Sequence, residues 1–125
     1  MNKVLLIDDD ATMLSMLKYK LEKAGYEIET ASDGEKGKEM ITSFKPDVVV
    51  TDLMMPYVSG LELVEYVRTV LKLELPLIVL SSAGQEKTVV QAFEIGATDF
   101  VTKPFSPNEL LIRIKRNFIA LKSGN

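Results

Sequence analysis

Three carboxylates, a hydroxyl and an amine could share one reaction in this chain: Asp8, Asp9, Asp52, Ser81 and Lys103. Each stands at the end of a short strand-like run. Gathered together, the carboxylates would repel one another unless a cation sat among them. The sequence contains no Cys and no His, so a metal here would be held by oxygen, which favours Mg²⁺, Ca²⁺ or Mn²⁺. A carboxylate can also act as a nucleophile and form an acyl phosphate. Such a transfer needs mainly positioning and charge neutralisation, which a lysine and a hydroxyl can supply. Singly, each residue has an ordinary reading: a turn Asp at 52, helix-capping acids near 8–10, a turn-forming hydroxyl at 81. The functional reading comes from their recurrence at one strand end after another.

The elements that must position these residues follow from the apolar pattern. Val4-Leu5-Leu6-Ile7, Val48-Val49-Val50 and Leu77-Ile78-Val79-Leu80 are unbroken apolar runs, the form of strands buried on both faces. They end in Asp8-Asp9-Asp10, in Thr51-Asp52 and in Ser81-Ser82. Glu27 to Ala31 alternates like a half-exposed edge strand, and Phe100-Val101-Thr102 is a short fifth strand ending in Lys103-Pro104. Between them the spacing predicts helices over about Ala11–Lys23, Glu35–Ser43, Gly60–Leu71, Glu86–Ile95 and from Ser106-Pro107 to about Leu121. Asp10 suits the cap of the first helix, and Gly25 its stop. Ser106, Pro107 and Glu109 are a strong start for the last. The fourth helix is weak, because Thr88, Val89 and Val90 are poor helix formers. Residues 122–125 read as a loose tail.

Strands alternating with helices imply an α/β fold, a (βα)5 doubly wound five-stranded parallel sheet. All carboxyl ends of such a sheet lie on one edge, where open α/β sheets bind their ligands. The chain of 125 residues is expected to be one domain, with a folded core over about 2–121. Net charge is −3, which lacks the basicity of a nucleic-acid-binding domain. No apolar run is long enough to span a membrane, and the N-terminus enters a strand at once, so the chain reads as cytoplasmic.

Several segments taken together resemble the receiver domain of two-component response regulators, the CheY-like superfamily, over essentially residues 2–121. They are Val4 through Asp10, Asp47 through Pro56 with Gly60, Leu80-Ser81, Gly96-Ala97-Thr98-Asp99-Phe100 and Lys103-Pro104-Phe105. The resemblance implies a flavodoxin-like strand order of 2-1-3-4-5. It implies that Asp52 is the phosphoacceptor, and that Asp8, Asp9, Asp52 and the backbone carbonyl of Met54 hold Mg²⁺. Ser81 would be the switch hydroxyl, Lys103 the contact to phosphoryl oxygens, and Lys103-Pro104 a cis peptide. Phe100 would occupy the aromatic switch position, with its hydroxyl-free ring favouring an inward, apolar place. The implied partners are a sensor histidine kinase or a histidine phosphotransfer protein. A homodimer through the face of the fourth helix, fifth strand and last helix is a further implication, with Asp99 and Arg113 resembling a cross-dimer pair; a solvated surface pair is the plainer alternative. The implied role is a signalling switch, and not an enzyme beyond Mg²⁺-dependent self-phosphorylation from a phosphodonor and slow loss of the phosphoryl group.

Two residues depart from what some relatives carry. Met54 and Ala83 are apolar where polar side chains can help place an attacking water, so a long-lived acyl phosphate is expected. Thr51 and Ser82 read as structural. An Asp-nucleophile phosphatase would need a second acid at Met54, and a flavin carrier would need a phosphate loop where Asp8-Asp9-Asp10 stand, so both rivals fit poorly.

Overall fold

The computed structural model describes residues 2–122. Five strands alternate with five helices: β1 (Lys3–Ile7), α1 (Ala11–Lys23), β2 (Glu27–Ala31), α2 (Gly34–Phe44), β3 (Val48–Asp52), α3 (Gly60–Glu65), β4 (Leu77–Ser81), α4 (Glu86–Ile95), β5 (Asp99–Thr102) and α5 (Pro107–Lys122). The strands form one sheet in the order β2-β1-β3-β4-β5, and every neighbouring pair is parallel. Of the expected tail, Lys122 is the last residue of α5, and residues 123–125 lie outside the described part.

The apolar runs are buried for the reason their composition suggests. β3 and β4 have no exposed residue, because helices cover both faces of the sheet. Side chains alternate across the sheet, so each strand feeds two cores. On one face Leu5, Val49, Leu77 and Val79 pack with Ile41, Leu63, Val67 and Ala92 of the helices. On the other Val4, Leu6, Val50, Ile78 and Leu80 meet Leu14, Leu17 and Leu21 of α1 and Leu110, Ile114 and Phe118 of α5. β2 is half exposed, as its alternating sequence predicts.

Helix starts are set by side-chain caps. Asp10 accepts from the Met13 amide at 3.1 Å, and Asp33 from the Lys36 amide at 2.8 Å. Ser106 Oγ accepts from the Glu109 amide at 3.1 Å. Ser59 and Glu62 form a capping box at α3.

The third helix differs from its expected course. The α-helix stops at Glu65, and Tyr66–Val70 form a π-helical turn. Thr69 explains part of this. Its hydroxyl donates to the Glu65 carbonyl at 2.7 Å, the acceptor that an α-helical Thr69 amide would use. The Leu71 amide instead reaches the Tyr66 carbonyl at 3.0 Å, five residues back.

α3 begins against the end of β3. The Gly60 amide donates to the Leu53 carbonyl at 2.8 Å. A Cβ at Gly60 would collide with the Asp52 carbonyl oxygen and lie 2.8 Å from the Leu53 Cα. The helix can therefore sit directly on the residue after Asp52 only because position 60 has no side chain.

Candidate functional site

β1, β3, β4 and β5 all end at one rim of the sheet, and each delivers one or more of the sequence-predicted groups there. Asp8 follows β1, and its amide donates to the Ala31 carbonyl at 3.1 Å, which extends the β1–β2 pairing by one step. Asp52 ends β3, and Ser81 ends β4. Lys103 follows β5, with its amide bonded to the Ser81 carbonyl at 2.6 Å. The rim is thus held by backbone pairing.

Lys103 joins the acids. Its Nζ lies 2.9 Å from Asp52 Oδ2 and 3.0 Å from Asp8 Oδ2. The other Asp8 oxygen accepts from the Asp10 amide at 2.9 Å. One carboxylate oxygen from each of Asp8, Asp9 and Asp52 lies within 4.8 Å of the others. Asp8 and Asp52 are buried, whereas Asp9 is exposed. Met54, whose carbonyl is a sequence-predicted ligand, lies two residues after Asp52 and is 59% exposed. The Lys103-Pro104 peptide is cis.

The electrostatics follow from this crowding. Burial pushes the Asp8 carboxyl above the usual Asp range, and the nearby Asp52 charge adds to the rise. The Asp10 amide and Lys103 offset both only in part. Burial alone would lower the Lys103 ammonium, but hydrogen bonds to Asp52 and Asp8, with their charges, raise it overall. One lysine faces three carboxylates, so the pocket keeps negative charge to spare. An all-oxygen donor set of this kind, two members buried, fits a hard divalent ion such as Mg²⁺.

A pH dependence follows, with a sign set by the raised Asp8 pKa. An acid whose pKa rises on folding stabilises the protein most when protonated, and that contribution is lost as pH climbs from its ordinary value through the raised one. For Lys103, also raised, the contribution holds through neutral pH and is lost only in the alkaline range. In metal-free buffer, Asp8→Asn is therefore expected to gain stability relative to the parent as pH rises from about 4 toward neutral. Millimolar Mg²⁺ should shrink the difference. Paired urea titrations across pH, with and without EDTA, measure it; a constant offset would contradict the assignment.

Three other sequence-predicted residues are placed as follows. Ser81 is buried at 2% exposure. Phe100 is not inward. It is 37% exposed, with its ring edge-on to Phe93 at 5.9 Å between centroids. β5 is an edge strand whose residues alternate buried and exposed, and Phe100 falls on the exposed side. Beside it lies a hollow of about 300 Å³ lined by Ser81, Val89, Val90 and Thr102. Asp99 and Arg113 pair within the chain at 3.0 Å, and Asn117 donates to the other Asp99 oxygen at 3.3 Å. This pair is not simply solvated, since Asp99 is 8% exposed. Thr51 donates its hydroxyl to the Asp52 carbonyl at 3.0 Å.

A parallel sheet of this order, with an acidic pocket and a lysine on its carboxyl rim, defines a receiver-type signalling domain. The comparisons with known proteins agree. Residues 4–115 match the response regulator receiver domain family, and this chain belongs to it. Among curated proteins, it is 40% identical over 113 residues to the alkaline phosphatase synthesis transcriptional regulatory protein PhoP of Bacillus subtilis, covering 90% of this chain and 47% of that one. Identity is also 40% over 113 residues to the phosphate regulon transcriptional regulatory protein PhoB of Pseudomonas aeruginosa, covering 90% of this chain and 49% of that one. The chain thus spans about half the length of these relatives. Among solved structures, a receiver domain protein from Clostridium thermocellum superposes with a TM-score of 0.90 at 31% identity, over 98% of both chains. The chemotaxis response regulator CheY4 of Vibrio cholerae superposes with a TM-score of 0.86 at 33% identity, over 94% of this chain and 98% of that one. Receiver domains are signalling domains of two-component systems, where response regulators receive signals from histidine kinases, and they are not conventional enzymes. Among the described residues no helix is long and apolar enough to cross a membrane.

Proposed function

We propose that this chain, as a single domain over 1–125, is a cytoplasmic phosphoacceptor switch. In this reading Asp52 takes a phosphoryl group from a histidine of a sensor kinase or phosphotransfer protein. The observation that carries it is the Lys103 ammonium bridging Asp52 and Asp8 inside a triad of carboxylates. An Asp52 carboxylate oxygen attacks phosphorus, the donor's P–N bond breaks with its electron pair going to nitrogen, and the imidazole leaves neutral, keeping the proton already on its other ring nitrogen. Asp8, Asp9, Asp52 and the Met54 carbonyl would hold Mg²⁺. When bound, Mg²⁺ supplies the charge neutralisation that lets an anionic phosphoryl group approach three acids. Lys103 gives one of its hydrogen bonds to the incoming phosphoryl oxygens, and Ser81 donates to another.

The output follows from the same rim. A phosphoryl group on Asp52 draws the Ser81 hydroxyl toward it, and the hollow beside Ser81 then admits the Phe100 ring. The α4–β5–α5 surface changes with that ring, to control an output domain or partner. A homodimer through this face would exchange the in-chain Asp99–Arg113 bond for bonds across the pair. The curated relatives are named as transcriptional regulators, and control of transcription is the output class this carries over.

Acetyl phosphate with Mg²⁺ tests the reading. Intact mass spectrometry should show a gain of one phosphoryl group, absent with EDTA and absent in Asp52→Ala. Labelling of Asp52→Ala at the parent rate would overturn it. The exposed Met54 bears on lifetime, because it offers no hydrogen bond to an attacking water. Met54→Asn is expected to speed loss of the phosphoryl group by about tenfold, the worth of roughly one hydrogen bond to the attacking water. Decay of the labelled mass at fixed pH measures this, and an unchanged half-life would count against it.

A further inference from the structure

The two ends of α4 are held unequally. At its N-terminal end Gln85 gives no side-chain cap, and among the described residues the hydrogen bonds of the preceding turn, Ser82–Gln85, stay within residues 82–89. The helix buries just Val89 and Ala92. At its C-terminal end the Gly96 carbonyl accepts two bonds from one guanidinium, Arg68 Nη2 at 2.7 Å and Nε at 3.1 Å. Arg68 Nη1 also donates to the Leu73 carbonyl at 2.7 Å. The fork therefore ties the segment before β4 to the turn between α4 and β5. Gly96 has φ +124°, and a Cβ there would lie 2.7 Å from the Arg68 side chain, so the glycine makes room for the guanidinium stem. The Arg68 head is partly buried, and that burial lowers its pKa.

We propose that Arg68 is a positioning residue for signalling: it pins the Gly96 end of α4, so that the helix responds to events at Ser81 by swinging about that fixed end. The response rests on the receiver reading above; the pin itself is a property of the free protein. A planar fork with two bonds to one carbonyl resists rotation in a way that a lysine, a single point donor, does not. Events at the rim then reach Val89 and Val90, which line the hollow beside Ser81, while the start of β5 keeps its register.

Amide hydrogen exchange on the full chain tests this, with and without beryllium fluoride and Mg²⁺, in the parent, in Arg68→Lys and in Ile41→Val. The last is a control that loosens the same core from α2 rather than at the Gly96 turn. In the free protein, Arg68→Lys should speed exchange of the Phe93–Ala97 amides about tenfold, the effect of losing one charge-assisted bond. Val89–Gln91 should stay within about twofold, whereas Ile41→Val should show no such split. With beryllium fluoride, the parent should change over Ser82–Val90 and not over Phe93–Ala97. In Arg68→Lys the change should spread through Ala97. Uniform acceleration along α4 in Arg68→Lys, or an unchanged profile, would overturn the pin. A failure of beryllium fluoride to alter any rim amide would strike at the receiver reading instead, with the free-protein comparison still deciding the pin.

Discussion

Gly60→Ala is expected to destabilise the protein by about 3 kcal/mol or more and to lower phosphoryl acceptance with it. The added methyl would meet backbone, the Asp52 carbonyl and the Leu53 Cα, which cannot turn aside as a side chain can. Overpacking of a well-packed interior costs roughly 1–3 kcal/mol, and more where no rotamer relieves it. Relief requires the start of α3 to move off the end of β3, and that shift carries the Asp52 backbone with it. Gly25→Ala serves as the control. Gly25 has φ +101° but nothing within 4 Å of a Cβ, so its cost is the backbone strain alone, about 1–2 kcal/mol, far from the rim. Urea unfolding and acetyl phosphate labelling of both variants separate the effects. Both should lose stability, and only Gly60→Ala should lose labelling rate at a temperature where each is folded. Equal labelling in the two would mean that the α3 contact does not set the position of Asp52.

Lys103→Met is expected to lose about 2–3 kcal/mol of stability in metal-free buffer and to regain most of it with Mg²⁺. Removing one partner of a buried ion pair is costly because it strands the other charge. Here two are stranded, Asp8 at 1% and Asp52 at 10% side-chain exposure. The 25% exposure of Lys103 holds the figure below that for a fully buried pair. An ion that binds only the folded state adds stability by mass action, and the variant has one fewer cation competing for the pocket. Labelling should still fall, by about 100-fold, the usual effect of deleting one charged donor at a reacting oxyanion. Urea titrations with EDTA or Mg²⁺, and the initial labelling rate, report both. A variant as stable as the parent in EDTA would show that Lys103 contributes nothing to holding the acids together.

Phe100 and the third helix show where reading the chain and seeing it folded part company. For both, the residue types were visible but the decisive neighbours were not. Phe100 is an apolar ring, yet it lies half out because β5 is an edge strand and Phe93 of α4 offers it an edge contact. The third helix has apolar spacing throughout, yet its second half is a π turn in which Thr69 takes the Glu65 carbonyl. Arg68 carried no signal as a lone basic residue near a helix end, because its acceptors, Gly96 and Leu73, lie on segments that only folding brings together.

What the chain's own order determines is the placement of chemistry along it. Unbroken apolar runs ending in Asp8, Asp52 and Ser81, separated by amphipathic helices, leave a parallel sheet as the way to bury both faces, and a parallel sheet puts those ends on one rim. That argument needs only periodicity and the two-residue repeat of a strand. What folding alone decides is which polar groups touch, since contacts across 14 to 95 residues of sequence depend on register and packing: Lys103 to Asp8 and Asp52, Arg113 to Asp99, Arg68 to Gly96. Local pattern sets the direction in which a side chain leaves the backbone. Its partner is set by the sheet and helices that meet there.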